Sequence, residues 1–143
     1  MKPVPSAPYL LAFGLALLMG CSGTEEALYI NRAAADQAGA FKPKWLPDWV
    51  PAEATSIRLA TVTETREFML QFALASDKPL ELPADCKPIA ASKPPGPPLW
   101  RNWWPHDVPP NALVTPRHTF VRCKDYYVAF STSQGDVYAW MKR

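Results

Sequence analysis

The sequence has no hydrophobic run long enough to cross a membrane as a helix. Its most apolar stretch, from Tyr9 to Met19, is about half of the roughly 20 residues that a transmembrane helix needs. An excess of charge of one sign is also missing, because 15 basic residues stand against 13 acidic residues, for a net charge of +2. Nucleic-acid-binding domains usually carry a basic surplus on one face, so we predict no nucleic-acid partner.

Motifs for catalysis are absent from the sequence as well. It contains no nucleophile elbow, no glycine-rich phosphate loop and no His-Glu-x-x-His pattern. Glu64 and Glu67 are carboxylates near a predicted turn, a pattern more typical of a solvated turn than of a catalytic pair. We therefore predict no cofactor and no enzymatic activity, and an envelope hydrolase is the less favoured alternative.

The apolar run ends in the sequence LLMGC at residues 17–21, and small, polar residues follow it. Its length fits the roughly 7–15 apolar residues at the core of a secretory signal. In a bacterial protein this arrangement resembles the lipobox of a lipoprotein signal peptide. The resemblance implies cleavage before Cys21 and a membrane partner through lipid on that cysteine. By analogy with enteric bacteria, Ser22 implies the outer membrane, and we expect the domain to face the periplasm.

On this interpretation the chain has three parts. Residues 1–20 are the signal peptide, residues 21–44 are a lipid-anchored tether, and residues 45–143 form a single small β-rich domain. Within the tether, Thr24 is suited to cap a short helix that Gly39 would end. Several alanines between them favour a helix, and a disordered spacer is the alternative.

The fold class predicted for the domain is α+β, mostly β, with an antiparallel sheet of about five strands. Alternating apolar residues predict a hairpin over residues 57–74. Three more strands are predicted at residues 117–123, 126–132 and 136–141. They would form a meander that extends the hairpin into one sheet, with the last strand at the sheet's edge.

The cysteines predict one disulfide bond. If Cys21 carries lipid, Cys86 and Cys123 remain as an even pair, and such a pair in an oxidising compartment is expected to be disulfide-bonded. The alternative is a zinc site that also uses His106 and His118. Their spacing from the cysteines is not a recognised zinc pattern, so we predict no metal site.

The sequence is rich in proline, with 17 residues. Many of them fall in residues 88–116, which we expect to form a long loop that covers the sheet. Within this loop Trp100, Trp103 and Trp104 stand at i, i+3 and i+4, so a helical turn would place them on one face. Either they cap an open face of the sheet, or they form an exposed platform with Arg101 for an envelope protein or a glycan.

Two functional hypotheses follow from these patterns. The first is a membrane-anchored periplasmic lipoprotein that acts as a non-enzymatic binding or interaction module through the surface of residues 100–104. The second is a structural accessory subunit of an envelope complex, with the tryptophans internal and the contact made through an edge of the sheet.

Overall fold

The computed structural model describes residues 23–41, 45–110, 116–131 and 135–143. In this part of the chain, one sheet of seven strands accompanies a single short helix. The elements are β1 (Thr24–Asn31), α1 (Arg32–Gln37), β2 (Thr55–Val62), β3 (Glu67–Ala73), β4 (Cys86–Ile89), β5 (Thr119–Cys123), β6 (Tyr126–Phe130) and β7 (Asp136–Met141). The described part of the chain is thus mostly β, as predicted, but it has too little helix for the predicted α+β class.

The strands follow the order β1-β2-β3-β7-β6-β5-β4, and all neighbours are antiparallel. The predicted hairpin is β2 and β3, the predicted meander is β5 to β7, and the pairing of β3 with β7 joins them into one sheet, as expected. The prediction that the last strand lies at an edge is wrong, since β7 lies between β3 and β6. Four consecutive residues of β7, from Val137 to Trp140, are buried, which is typical of a strand covered on both faces.

The predicted number of about five strands is too low, because the two edge strands were missed. Residues 24–31, expected to be a helix or a spacer, form β1 and pair with β2. Tyr29 packs against the core while Glu26 and Leu28 point to the other face, so the strand is fixed by pairing and packing that helix propensity does not describe. The helix begins only after Asn31, whose side chain accepts a hydrogen bond from the Ala34 backbone nitrogen at 2.9 Å.

Gly39 follows the C-terminus of α1 with a φ of +75°, so the predicted helix end is correct. Cys21 and the rest of the predicted signal peptide lie outside the described residues. In the part of the chain that the structure describes, no helix is long and apolar enough to cross a bilayer.

Each face of the sheet carries a buried core. On the first face Ile57, Leu70 and Phe72 pack under α1 and under a proline-rich segment that contributes Leu46 and Val50. On the second face the core consists of side chains from the sheet and from residues 90–110, which we call the covering loop. Its members are Ala60, Met69, Trp104, Val108, Phe120, Ala129, Tyr138 and Trp140.

The predicted disulfide bond between Cys86 and Cys123 is confirmed. The two cysteines stand directly opposite each other on β4 and β5, and their sulfur atoms are 2.02 Å apart. The bond lies just before the covering loop, so it holds the start of that loop against the sheet.

Candidate functional site

The covering loop places its tryptophans in three different environments. Trp104 is buried, with 6% of its surface exposed, and its ring meets those of Tyr138 and Trp140 edge-on at 5.4 and 5.6 Å between centroids. Its Nε1 donates a hydrogen bond to the Val108 carbonyl at 2.6 Å. Trp104 is therefore a core residue that caps the second face of the sheet.

Trp103 and Arg101 attach the covering loop to strand β1. Arg101 Nε donates to Glu26 Oε2 at 2.9 Å, and Trp103 Nε1 donates to Glu26 Oε1 at 2.5 Å. Both partners are half-buried. One carboxylate on the edge strand thus accepts hydrogen bonds from two residues of the loop.

Trp100 is the exposed member of the group, with 78% of its surface accessible. The three tryptophans do not share a face, because residues 101–104 form a turn closed by a hydrogen bond from the Trp104 backbone nitrogen to the Arg101 carbonyl at 3.1 Å. Beside Trp100 the loop forms a shallow groove of about 220 Å³, which Arg101 and His106 also line. Of the four predicted partner-binding residues, Trp100 is thus the one with a largely free surface.

Two other large hydrophobic side chains are exposed in the described residues, and both belong to β1. Leu28 is 65% exposed and Ile30 is 77% exposed. Because side chains alternate along a strand, both lie on the same face of β1 as Glu26, the face that meets the covering loop. Trp100 directly precedes Arg101, the ion-pair partner of Glu26. We call Glu26, Leu28, Ile30, Trp100 and Arg101 the edge patch.

Among the strands that the structure describes, none pairs with β1 on the side away from β2. The Gly23 carbonyl accepts a hydrogen bond from the Thr63 backbone nitrogen at 2.6 Å. Backbone groups in an antiparallel pair point alternately toward and away from the partner strand. The residues that point away from β2 are therefore Thr24, Glu26, Leu28 and Ile30. The edge patch thus combines apolar side chains with backbone groups that no other strand of the described residues pairs with.

A second group of polar side chains lies at the margin of the second core. The rings of His118 and Tyr138 meet edge-on at 5.6 Å. Burial lowers the pKa of His118, although the carboxylates of Asp107 and Asp136 act in the opposite direction. Burial also raises the pKa of Tyr138 to about 12. Burial thus disfavours the charged form of both side chains, which suits a role in packing.

Within the described ranges, no group of three or more His, Cys, Asp or Glu side chains is placed to hold a metal ion. His106 is exposed and lies on the covering loop, whereas His118 is half-buried just before β5. Cys86 and Cys123 are bonded to each other, so their thiols are not available as ligands.

Residues 24–73 match the family model of the YbbD head domain. The match covers about a third of the chain and runs from the first residue of β1 to the last residue of β3. It therefore includes Glu26, Leu28 and Ile30 of the edge patch but not the covering loop. No curated protein and no solved structure matches the chain.

Proposed function

We propose that this protein is a lipid-anchored lipoprotein of the bacterial envelope that acts as a non-enzymatic interaction module and binds a protein partner at the edge patch. One observation carries the proposal: of the three exposed large hydrophobic side chains of the described residues, Leu28 and Ile30 share a face of β1 with Glu26, and Trp100 directly precedes Arg101, the ion-pair partner of Glu26. Apolar clusters rimmed by polar groups are typical of protein–protein contact sites. Tryptophan and arginine are the residue types favoured at binding hot spots.

The lipobox at residues 17–21 supports the membrane part of the proposal. If Cys21 carries the lipid, only two residues separate it from β1, a span of about 10 Å or less when extended. The edge patch would then lie close to the outer-membrane surface, on the periplasmic side. The protein partner expected there is itself attached to, or embedded in, the membrane.

A structural accessory subunit is the second candidate function. The outward backbone groups of β1, with which no described strand pairs, favour it, since a partner strand paired with this edge would form a lasting contact through main-chain hydrogen bonds. This candidate differs from the first in predicting that the partner copurifies with the protein in a fixed ratio.

Lipidation is tested by the substitution Cys21→Ser in cells that produce the full chain. The unsubstituted protein is expected to incorporate a labelled fatty acid and to sediment with outer membranes, and the variant is expected to lose both properties. Unchanged labelling of the variant would refute the anchor.

The contact surface is tested by a photoreactive residue at position 100 of the full chain in living cells, followed by identification of the adducts. Glu53 is the matched control position, because it is exposed and adjoins the segment that covers the first face of the sheet. We expect one dominant protein adduct from position 100 and none from position 53. Adducts with lipid alone, or equal products from both positions, would contradict a protein partner at the edge patch.

A further inference from the structure

We infer that the protein binds a phosphate ester in a pocket near the β4 edge of the sheet, which we call the cationic pocket. Its volume is about 430 Å³, and it is lined by Ile89, Ala90, Lys93, Arg122 and Tyr127. Ligand pockets in proteins commonly measure about 300–1,000 Å³, so there is room for a phosphate and a small group esterified to it. Strand β1 of the edge patch lies at the opposite edge of the sheet, so the inference goes beyond the proposed function.

The sheet holds two cations side by side at this pocket. Lys87 on β4 stands directly opposite Arg122 on β5. The disulfide-bonded cysteines form the neighbouring pair and pack against the first core. Because side chains alternate along a strand, Lys87 and Arg122 lie on the second face, the face of the covering loop. Like charges directly opposite each other on paired strands are destabilising, and an anion bound between them would remove that repulsion.

A third cation comes from the covering loop. The Lys93 backbone nitrogen donates a hydrogen bond to the Ala90 carbonyl at 2.9 Å, and after this turn Lys93 lines the pocket together with Arg122. Among the described residues, none of the three cations forms an ion pair, and no acidic side chain lines the pocket. Lysine on an edge strand also blocks unwanted pairing, but that role accounts only for Lys87, because Lys93 and Arg122 lie outside β4.

The guanidinium group of Arg122 is positioned to bind an oxyanion. Its Nε donates a hydrogen bond to the Lys124 carbonyl at 3.3 Å, and its central carbon lies 6.0 Å from the centre of the Tyr127 ring. That ring lies 5.7 Å from the ring of the buried Trp140. These contacts leave both terminal Nη groups of Arg122 without an acceptor among the described residues. Paired guanidinium donors match the oxygen atoms of a phosphate group.

The number of positive charges favours phosphate over carboxylate. A phosphomonoester carries about −1.5 to −2 charges at pH 7 and three acceptor oxygens, whereas a carboxylate carries one charge and two oxygens. Lys87, Lys93 and Arg122 supply three positive charges from three elements of the fold. Tyr127, which also lines the pocket, carries a hydroxyl donor. Soluble phosphate esters and phospholipid headgroups share this chemistry, so both serve as probes.

The first probe is glycerol 3-phosphate, titrated by calorimetry into the detergent-solubilised full chain at constant ionic strength. We expect the unsubstituted protein to bind it and Arg122→Gln to bind at least about tenfold more weakly, because hydrogen bonds between charged groups are lost. The matched control is Arg58→Gln. Arg58 is also an exposed arginine on a strand, but β2 lies four strand spacings from β5, about 19 Å, so the affinity should not change.

Two further measurements separate a phosphate site from general attraction to charge. Arg122→Lys keeps the positive charge but lacks the paired donors, so it should bind glycerol 3-phosphate more weakly than the unsubstituted protein. Acetate at the same ionic strength should bind far more weakly than glycerol 3-phosphate. Arg122 is exposed, so its substitution is not expected to prevent folding, and circular dichroism checks this. Equal affinities of Arg58→Gln and Arg122→Gln, or equal binding of acetate, would overturn the inference.

A water-soluble phosphatidylglycerol with two six-carbon acyl chains distinguishes the two sources of phosphate. If the natural ligand is a lipid headgroup, this probe should bind more tightly than glycerol 3-phosphate. If the natural ligand is a soluble ester, the order should be reversed, because the lipid phosphodiester carries less charge. Either order supports the site when Arg122→Gln weakens binding, and no binding of either probe would overturn it. None of these measurements depends on Cys21 or on position 100, so their failure would leave the proposed function standing.

Discussion

Trp104 and Trp100 lie four residues apart in the same loop, yet the structure predicts opposite consequences for their removal. Trp104 is 6% exposed and packs against two aromatic rings, whereas Trp100 is 78% exposed. Replacing a buried tryptophan by alanine typically lowers the free energy of unfolding by about 3–5 kcal/mol, because contacts are lost and a cavity remains. The substitution Trp104→Ala also leaves the Val108 carbonyl without its donor. We expect a loss in this range, against less than about 0.5 kcal/mol for Trp100→Ala.

The assay for this pair is urea unfolding followed by far-ultraviolet circular dichroism, because removing a tryptophan alters fluorescence directly. Trp104→Phe is a useful third variant, since it keeps an aromatic ring but removes the indole N–H. Its loss in the free energy of unfolding should lie between the losses of the two alanine variants. If Trp104→Ala lowers the free energy of unfolding no more than Trp100→Ala does, the covering loop does not form part of the core, and the described packing of the second face is refuted.

Three other measurements test separate parts of the structure. Replacing Cys86 and Cys123 by alanine should lower the free energy of unfolding by about 4 kcal/mol in denaturant titrations, because the unfolded chain loses a crosslink across 37 positions; an unchanged midpoint would contradict this. Glu26→Gln should lower the free energy of unfolding by at most about 1 kcal/mol, since the ion pair is partly exposed. It should also increase the quenching of tryptophan fluorescence by acrylamide, because Trp103 is held less tightly; equal quenching in both proteins would count against this attachment. Because the pKa of His118 is lowered in the folded state, the unfolded state binds more protons, and stability that is present above about pH 6.5 is lost as the pH falls below it. His118→Asn should therefore reduce the dependence of the free energy of unfolding on pH between pH 5 and 7, and an unchanged dependence would refute this.

The strands that sequence patterns predicted are those with apolar side chains in regular alternation. Phe68, Leu70 and Phe72 repeat every second residue and lie in one core, so β3 and its hairpin with β2 were predictable. The joining of the hairpin to the meander also followed, because an isolated two-stranded hairpin is only marginally stable in water. The central position of β7 was within reach as well, since a strand whose residues are apolar on both faces is unsuited to an edge.

The part of the edge patch on β1, Glu26, Leu28 and Ile30, was not predicted because these residues are unremarkable in isolation. The sequence around Leu28 and Ile30 follows two glutamates and precedes a run of alanines, and the alanines favour a helix. The available signal was the short apolar run from Leu28 to Ile30, because aromatic and β-branched residues such as Tyr29 and Ile30 favour a strand. Pairing with β2 and packing of Tyr29 decide the outcome, and both depend on residues far away in the sequence.

The tryptophans were predicted only in part for a related reason. The spacing of Trp100, Trp103 and Trp104 predicts a shared face only if the segment is helical, and the prolines around it prevent a helix from extending. In the turn that forms instead, one side chain enters the core, one reaches β1 and one remains in solvent. The cap interpretation thus applies to Trp104, whereas the platform interpretation stays a prediction for Trp100.

In the described part of the chain, β1 is the edge of the sheet that best suits the proposed partner. Each face of the sheet carries a buried core, and Pro88 weakens the β4 edge. The remaining edge also carries Glu26, the residue that attaches the covering loop. A strand paired with β1 would restrain Glu26 and would therefore order Arg101 and Trp100 at the same time. Binding at the edge and packing of the loop are coupled through one carboxylate, so Glu26→Gln should weaken association more than it weakens folding.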